Sequence, residues 1–161
     1  MSEFKLTHLN EAGESRMVDV GDKRVSAREA MAEGFISMPP ELVRELKNLK
    51  KGNAFEVARI AGIMAAKKTE DLIPLCHQIQ LDKVQLKFEP DADAGRVRVV
   101  SQVKCHGRTG VEMEALTAVT TALLTLYDMG KAAARDMIID GVRLLRKSGG
   151  KSGDYVAENV S

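Results

Sequence analysis

Apolar side chains recur along this chain in two periods, and the switches between them outline its elements. After Asn53 the spacing is helical, with Phe55, Val57, Ala58, Ile60, Ala61, Ile63 and Met64. Asn53 with Glu56 makes a capping-box-like start, and Lys67 and Lys68 suit the negative end of the helix dipole. The period then drops to two. Val84, Leu86 and Phe88 alternate with polar residues, and so do Val97, Val99 and Ser101 with Arg96, Arg98 and Val100. Asp91–Gly95 between them reads as a hairpin loop. From Ala115 to Tyr127 no side chain is charged, which predicts a second helix from about Glu112 into Ala132–Ala134. Met137–Arg146 reads as a last strand, broken near Asp140 and Gly141. Phe35–Met38 reads as a short strand stopped by Pro39 and Pro40, with Glu41–Asn48 a short helix after it.

Strand, helix, strand, strand, helix, strand is the order of a ferredoxin-like fold. The expectation is one α+β domain with a βαββαβ core over residues 35–146, an antiparallel sheet and helices on one face. Residues 1–32 read as a polar, loosely held arm with one strand-like stretch, Met17–Val20. Residues 147–161 read as a mobile tail rich in Gly and Ser.

Composition adds limits. The 161 residues, 44% of them hydrophobic, suffice for one real core. No apolar run is long enough to span a bilayer, Met1–Asn10 lacks the apolar stretch of a secretory signal, and two cysteines make no disulfide framework. The expected location is the cytoplasm. A net charge of +1 calls for neither nucleic acid nor membrane. Basic residues nonetheless cluster at Lys47, Lys50, Lys51, Arg59, Lys67 and Lys68, and again at Arg143, Arg146, Lys147 and Lys151. Such clusters on a neutral protein favour a compact anion.

Candidate chemistry starts where the uncharged helix ends. Asp128 and Lys131, spaced i, i+3, share one helical face and could shift each other's pKa for proton transfer. An ordinary surface pair is the competing reading. Counting back, the same face carries Thr125, Thr121, Thr117 and Glu114, a stripe suited to a half-buried contact. Glu114 lies about 21 Å from Asp128 along the helix, too far for one small ligand within a monomer. Lys51 and Gly52 precede a helix N-terminus, where an anion is favoured. Cys76-His77 and Cys105-His106 offer four metal ligands, but neighbours in extended chain point apart and the spacing fits no common zinc motif. No metal site is expected. His77 could be an acid/base group or could simply pack. Gly150-Lys151-Ser152 is not a P-loop, since Leu145 stands where the first glycine belongs. Its glycines could still let Lys147 and Lys151 fold over a phosphate.

Several stretches together resemble one family. They are Ala58-Arg59-Ile60-Ala61-Gly62-Ile63 through Asp71-Leu72-Ile73-Pro74-Leu75-Cys76-His77, Thr109-Gly110-Val111-Glu112-Met113-Glu114-Ala115-Leu116-Thr117-Ala118, and Leu126-Tyr127-Asp128-Met129. Lys147-Ser148-Gly149-Gly150-Lys151-Ser152-Gly153 and Met17-Val18-Asp19-Val20 add to them. From about His8 to Asp154 the chain resembles the cyclic pyranopterin monophosphate synthase family, the C proteins of molybdenum cofactor biosynthesis. The resemblance implies a ferredoxin-like homohexamer, a trimer of dimers with active sites at the dimer interface. It implies conversion of 3′,8-cyclo-7,8-dihydro-GTP, made from GTP by a radical enzyme, into cyclic pyranopterin monophosphate with release of pyrophosphate. It makes Asp128 the catalytic acid/base with Lys51 and Lys131 beside it. Leu75, Cys76, His77, Met113 and Glu114 become substrate-binding, with Glu112, Lys67, Arg108 and Lys147 as further candidates. No resident cofactor is implied, and Mg²⁺ on the triphosphate is left open. Gln78, Asn53 and Gly130 depart from the family's usual proline, aspartate and cysteine, and none of them is a candidate catalytic residue.

Three other readings are distinguishable. An RNA-binding module of this fold would stack bases on strand aromatics, yet Val97, Val99 and Val100 stand there and aromatics are 4%. A nucleotide-sensing domain would share the fold but need not keep Lys51, Asp128 and Lys131. A zinc-held scaffold would carry stoichiometric metal.

Overall fold

The computed structural model describes residues 6–159. Five strands form one antiparallel sheet: β1 (Ser26–Ser37), β2 (Lys83–Asp91), β3 (Arg96–Gly107), β4 (Ile138–Ser148) and β5 (Tyr155–Val156). Their order is β2-β3-β1-β4-β5, and each neighbouring pair is antiparallel. Helices α1 (Pro40–Glu45), α2 (Ala54–Lys67) and α3 (Thr69–Leu72) lie between β1 and β2, and α4 (Glu112–Gly130) between β3 and β4. β1 pairs with β3 rather than with β2, so the fold is the ferredoxin-like split βαβ arrangement.

One face of the sheet is apolar. Ala32, Ser101 and Leu86 stand in register across β1, β3 and β2, and all three are buried. The Ser101 hydroxyl donates to the Ala115 carbonyl at 2.7 Å, and a β-carbon on Gly62 would collide with Leu86 and the Ala118 carbonyl. Both α2 and α4 therefore cover this face and approach each other closely. The opposite face carries ion pairs, among them buried Glu33 between Arg98 and Arg143, 2.7 Å from each.

Helix α2 starts as its sequence predicts. The Asn53 side chain accepts from the Phe55 and Glu56 amides at 3.0 and 3.4 Å, satisfying donors that the first turn leaves free. The β2–β3 hairpin turns at Asp91–Gly95 as expected.

Four boundaries differ from expectation. β1 begins at Ser26, so the arm read over residues 1–32 gives its last residues to a central strand, and the core starts earlier than residue 35. Ala27, Ala30, Met31 and Ala32 favour helices in isolation, but here β1 is paired along both edges. Met17–Val20 forms no strand. Helix α4 stops at Gly130 in place of running into Ala132–Ala134, where tight turns follow. The segment read as a tail is partly fixed, since β4 extends to Ser148 and Tyr155–Val156 pair with Lys147 and Arg146. The break foreseen near Asp140 and Gly141 is a register shift against β1, with Gly141 at φ +60°.

Candidate active site

Helices α2 and α4 run antiparallel: they cross where Gly62 meets Ala118, Lys51 before α2 lies near Asp128, and Glu70 after α2 lies near Glu114. Two clusters of chemical groups result.

The first lies at the start of α4. Leu75, Cys76 and His77, in the loop after α3, meet Glu112, Met113 and Glu114 around a pocket of about 290 Å³. Glu114 is only 4% exposed. Burial pushes its carboxyl up to about 7, and the charges of Glu112 and Glu70 push the same way, against a hydrogen bond to its own backbone. Burial also raises the Cys76 thiol, with Glu114 adding to the effect. Both effects favour the protonated thiol. His77 Nε2 lies 2.5 Å from the Val18 carbonyl. A carbonyl can only accept, so Nε2 carries the hydrogen.

Val18, Val20, Lys23, Thr7 and His8 close the pocket from the N-terminal side. Met17–Val20 belongs to the family motif, yet no local spacing assigns it a role, since it meets His77 across 59 residues of chain. Glu70 is likewise silent in the sequence. It acts on Glu114 only because α3 folds back beside α4.

Glu112 joins this end through Lys147, whose ammonium stands 3.3 Å from its carboxylate and donates to Ser152 Oγ at 3.0 Å. Arg108 is exposed, and its carbonyl accepts from Arg28 at 3.1 Å. Lys67 is exposed at the C-terminal turn of α2.

The second cluster lies at the end of α4. The Asp128 carboxylate and Lys131 ammonium are 2.6 Å apart and both exposed. Lys131 holds the carboxyl below its ordinary range by hydrogen bond and charge, and Lys51, just before α2, adds to the effect. Lys51, Asp128 and Lys131 thus form a cationic patch around one ionised acid.

Within one protomer the structure keeps the clusters apart. Helix α4 is unbroken from Glu112 to Gly130, so Glu114 and Asp128 are about 21 Å apart along its axis. Between them α4 and α2 present an exposed apolar outer side, with Leu124 on one and Val57, Ile60 and Met64 on the other. Among the described residues no three His, Cys, Asp or Glu side chains converge as metal ligands, and no helix is long and apolar enough to cross a membrane. Cys76 and Cys105 are free thiols.

Residues 17–150 match the MoaC family. A cyclic pyranopterin monophosphate synthase of Parvibaculum lavamentivorans is 56% identical over 160 residues, covering 98% of this chain and 100% of the relative. The synthase of that name from Pelotomaculum thermopropionicum is 55% identical, covering 93% of this chain and 89% of the relative. That from Chloroflexus aurantiacus is 53% identical, covering 94% of each.

Proposed function

This chain belongs to the MoaC family, and on that premise we propose the reaction it performs. It converts 3′,8-cyclo-7,8-dihydro-GTP into cyclic pyranopterin monophosphate and pyrophosphate, a step of molybdenum cofactor biosynthesis, as a lyase of the phosphorus–oxygen type. A ribose hydroxyl oxygen bonds to the α-phosphorus, and the bond to the β-phosphate oxygen breaks. Pyrophosphate leaves with the electron pair, and the hydroxyl proton passes to a base. The purine part opens and recloses as a pterin by proton transfers. Atoms and electrons balance without an oxidant, so the step calls for no redox cofactor, and acid/base side chains and cations carry the proposed chemistry.

The observation that carries this reading is the pairing of two oppositely tuned carboxyls. Glu114, raised to about 7, can give or take a proton near neutrality, while Asp128 stays ionised as a base beside Lys51 and Lys131. Leu75–His77 and Met113 hold the substrate's bicyclic part, and the cations meet its phosphates.

The working unit is a homohexamer, a trimer of dimers. Two observations support it: the 21 Å gap, which a second copy's α4 can bridge, and the exposed apolar side of α2 and α4. The protein works in the cytoplasm on a small nucleotide-derived substrate, after a radical enzyme has cyclised GTP.

The test is pyrophosphate release from freshly made cyclised GTP by wild type and Asp128→Asn, with the oligomer sized in parallel. Release by wild type alone, with both proteins the same size, is expected. No release by a folded, hexameric wild type would move the chain to the nucleotide-sensing reading.

A further inference from the structure

The ladder between β4 and β1 slips just before Lys147. Arg146 stands opposite Met31 and Leu144 opposite Ala32, so Leu145 has no partner on β1. An extra residue of this kind breaks the ladder locally and re-aims the side chains beyond it. Arg143, before the slip, joins Glu33 on the open sheet face. Lys147, after it, reaches Glu112 at the start of α4, on the rim of the Glu114 pocket.

The chain after β4 folds back over this weak point. Tyr155 and Val156 pair with Lys147 and Arg146, and the Ala157 amide donates to the Leu145 carbonyl at 2.8 Å. Leu145 thus finds beside β5 the backbone partner that β1 does not supply. The connecting turn is closed by the Asp154 carboxylate, which accepts from the Gly149 amide at 3.3 Å.

Arg143 fastens the far end. Its Nη1 and Nη2 donate to the Glu158 and Asn159 carbonyls at 3.2 and 3.3 Å, while its Nε donates to Glu33 at 2.7 Å. Glu33 is only 3% exposed, and Arg98 holds its other oxygen at 2.7 Å. A guanidinium gripped by a buried carboxylate is fixed in place, and its planar fork serves two carbonyls at once.

We propose that Tyr155–Asn159 is a strap that locks the slip aiming Lys147 at Glu112, and that Arg143 is the positioning residue that fastens it. The inference rests on the reaction given above, because its consequence falls on an anionic substrate. With Lys147 in place the Glu112 carboxylate is neutralised at the pocket's rim. With the strap loose, a bare carboxylate faces the incoming anion and repels it.

The test compares wild type with Arg143→Ala, Arg143→Lys, Ala157→Pro and Lys87→Ala. Two quantities are read: the acylation rate of Lys147 by an amine-reactive ester, followed by mass spectrometry against exposed Lys83, and KM and kcat for cyclised GTP. Arg143→Ala leaves Glu33 paired with Arg98, so the fold is kept. Ala157→Pro leaves Arg143 intact and removes only the amide that holds Leu145. Both are expected to speed Lys147 acylation severalfold and to raise KM about tenfold, with a smaller loss in kcat. Arg143→Lys keeps a charge beside Glu33 without the fork, and is expected to resemble Arg143→Ala. Lys87→Ala, which breaks a pair on the outer strand β2, is expected to behave as wild type in both readouts. Unchanged acylation in Arg143→Ala and Ala157→Pro, full rescue by Arg143→Lys, or an equal change in Lys87→Ala overturns the assignment. The two readings fail separately. Faster acylation in the strap variants of a protein that releases no pyrophosphate keeps the strap and removes the reaction. Turnover with acylation and KM both unchanged removes the strap alone.

Discussion

The two ends of α4 carry a carboxylate each, and the protein tunes them in opposite directions. Glu114 is almost wholly buried and its proton is held up to about 7. Asp128 is exposed, and Lys131 holds it ionised below its usual range. The same functional group on the same helix keeps its proton toward neutrality at one end and stands ionised at the other. Desolvation rules the first and a facing ammonium the second. Part of the difference is local, from Glu112 beside one acid and Lys131 beside the other. Loops after α2 and before it bring Glu70 and Cys76 to one end and Lys51 to the other.

The contrast breaks most sharply at Asp128. Asp128→Asn keeps the side chain's shape but cannot take a proton, so kcat is expected to fall by about 10²–10⁴-fold. Steady-state pyrophosphate release measures it. Subunit mixing tests whether the two ends work together. If each site draws Glu114 from one copy and Asp128 from its neighbour, co-expressed Glu114→Gln and Asp128→Asn chains regain activity at about a quarter of sites. A mixture as dead as its parts would mean that each end works alone.

Glu114 gives a stability signature of its own. Its folded pKa lies above the unfolded value of 4.5, so the folded state binds more protons between pH 4.5 and about 7. Stability therefore falls as pH rises through that window, by on the order of 3 kcal/mol. Denaturant unfolding of wild type and Glu114→Gln at pH 5 and pH 8 checks this, and the glutamine variant is expected to lose much less. The smallest effect belongs to Lys131. Lys131→Ala releases Asp128 toward its ordinary range, so the acid limb of the residual pH–rate profile moves to higher pH. A stationary limb would show that Asp128 is not the group titrating there.

Much of this was open to reading from residues alone. Helix α2 was legible because Asn53 caps it and its apolar spacing is unmixed. The β2–β3 hairpin was legible because Val84, Leu86 and Phe88 keep one face without a break. β1 was not. Its small residues Ala30 and Ala32 lie fully buried under the helices, and scattered alanines among Arg28, Glu29 and Met31 mark no strand period. Asp128 and Lys131 announced themselves by ending an uncharged helix, and the structure pairs them. The contact of Val18 with His77 did not, because 59 residues of chain separate the two.

The sequence by itself determined the order of elements, the family, and which side chains hold acids, bases and cations. Those follow from local periodicity, caps and motifs, each written within a few consecutive turns of chain. Tertiary structure decided which end of α4 is buried, that Val18 should meet His77, and that Lys147 should pair with Glu112. Burial and long-range charge set pKa and ligand geometry, and both depend on what the fold places nearby, which no local pattern encodes.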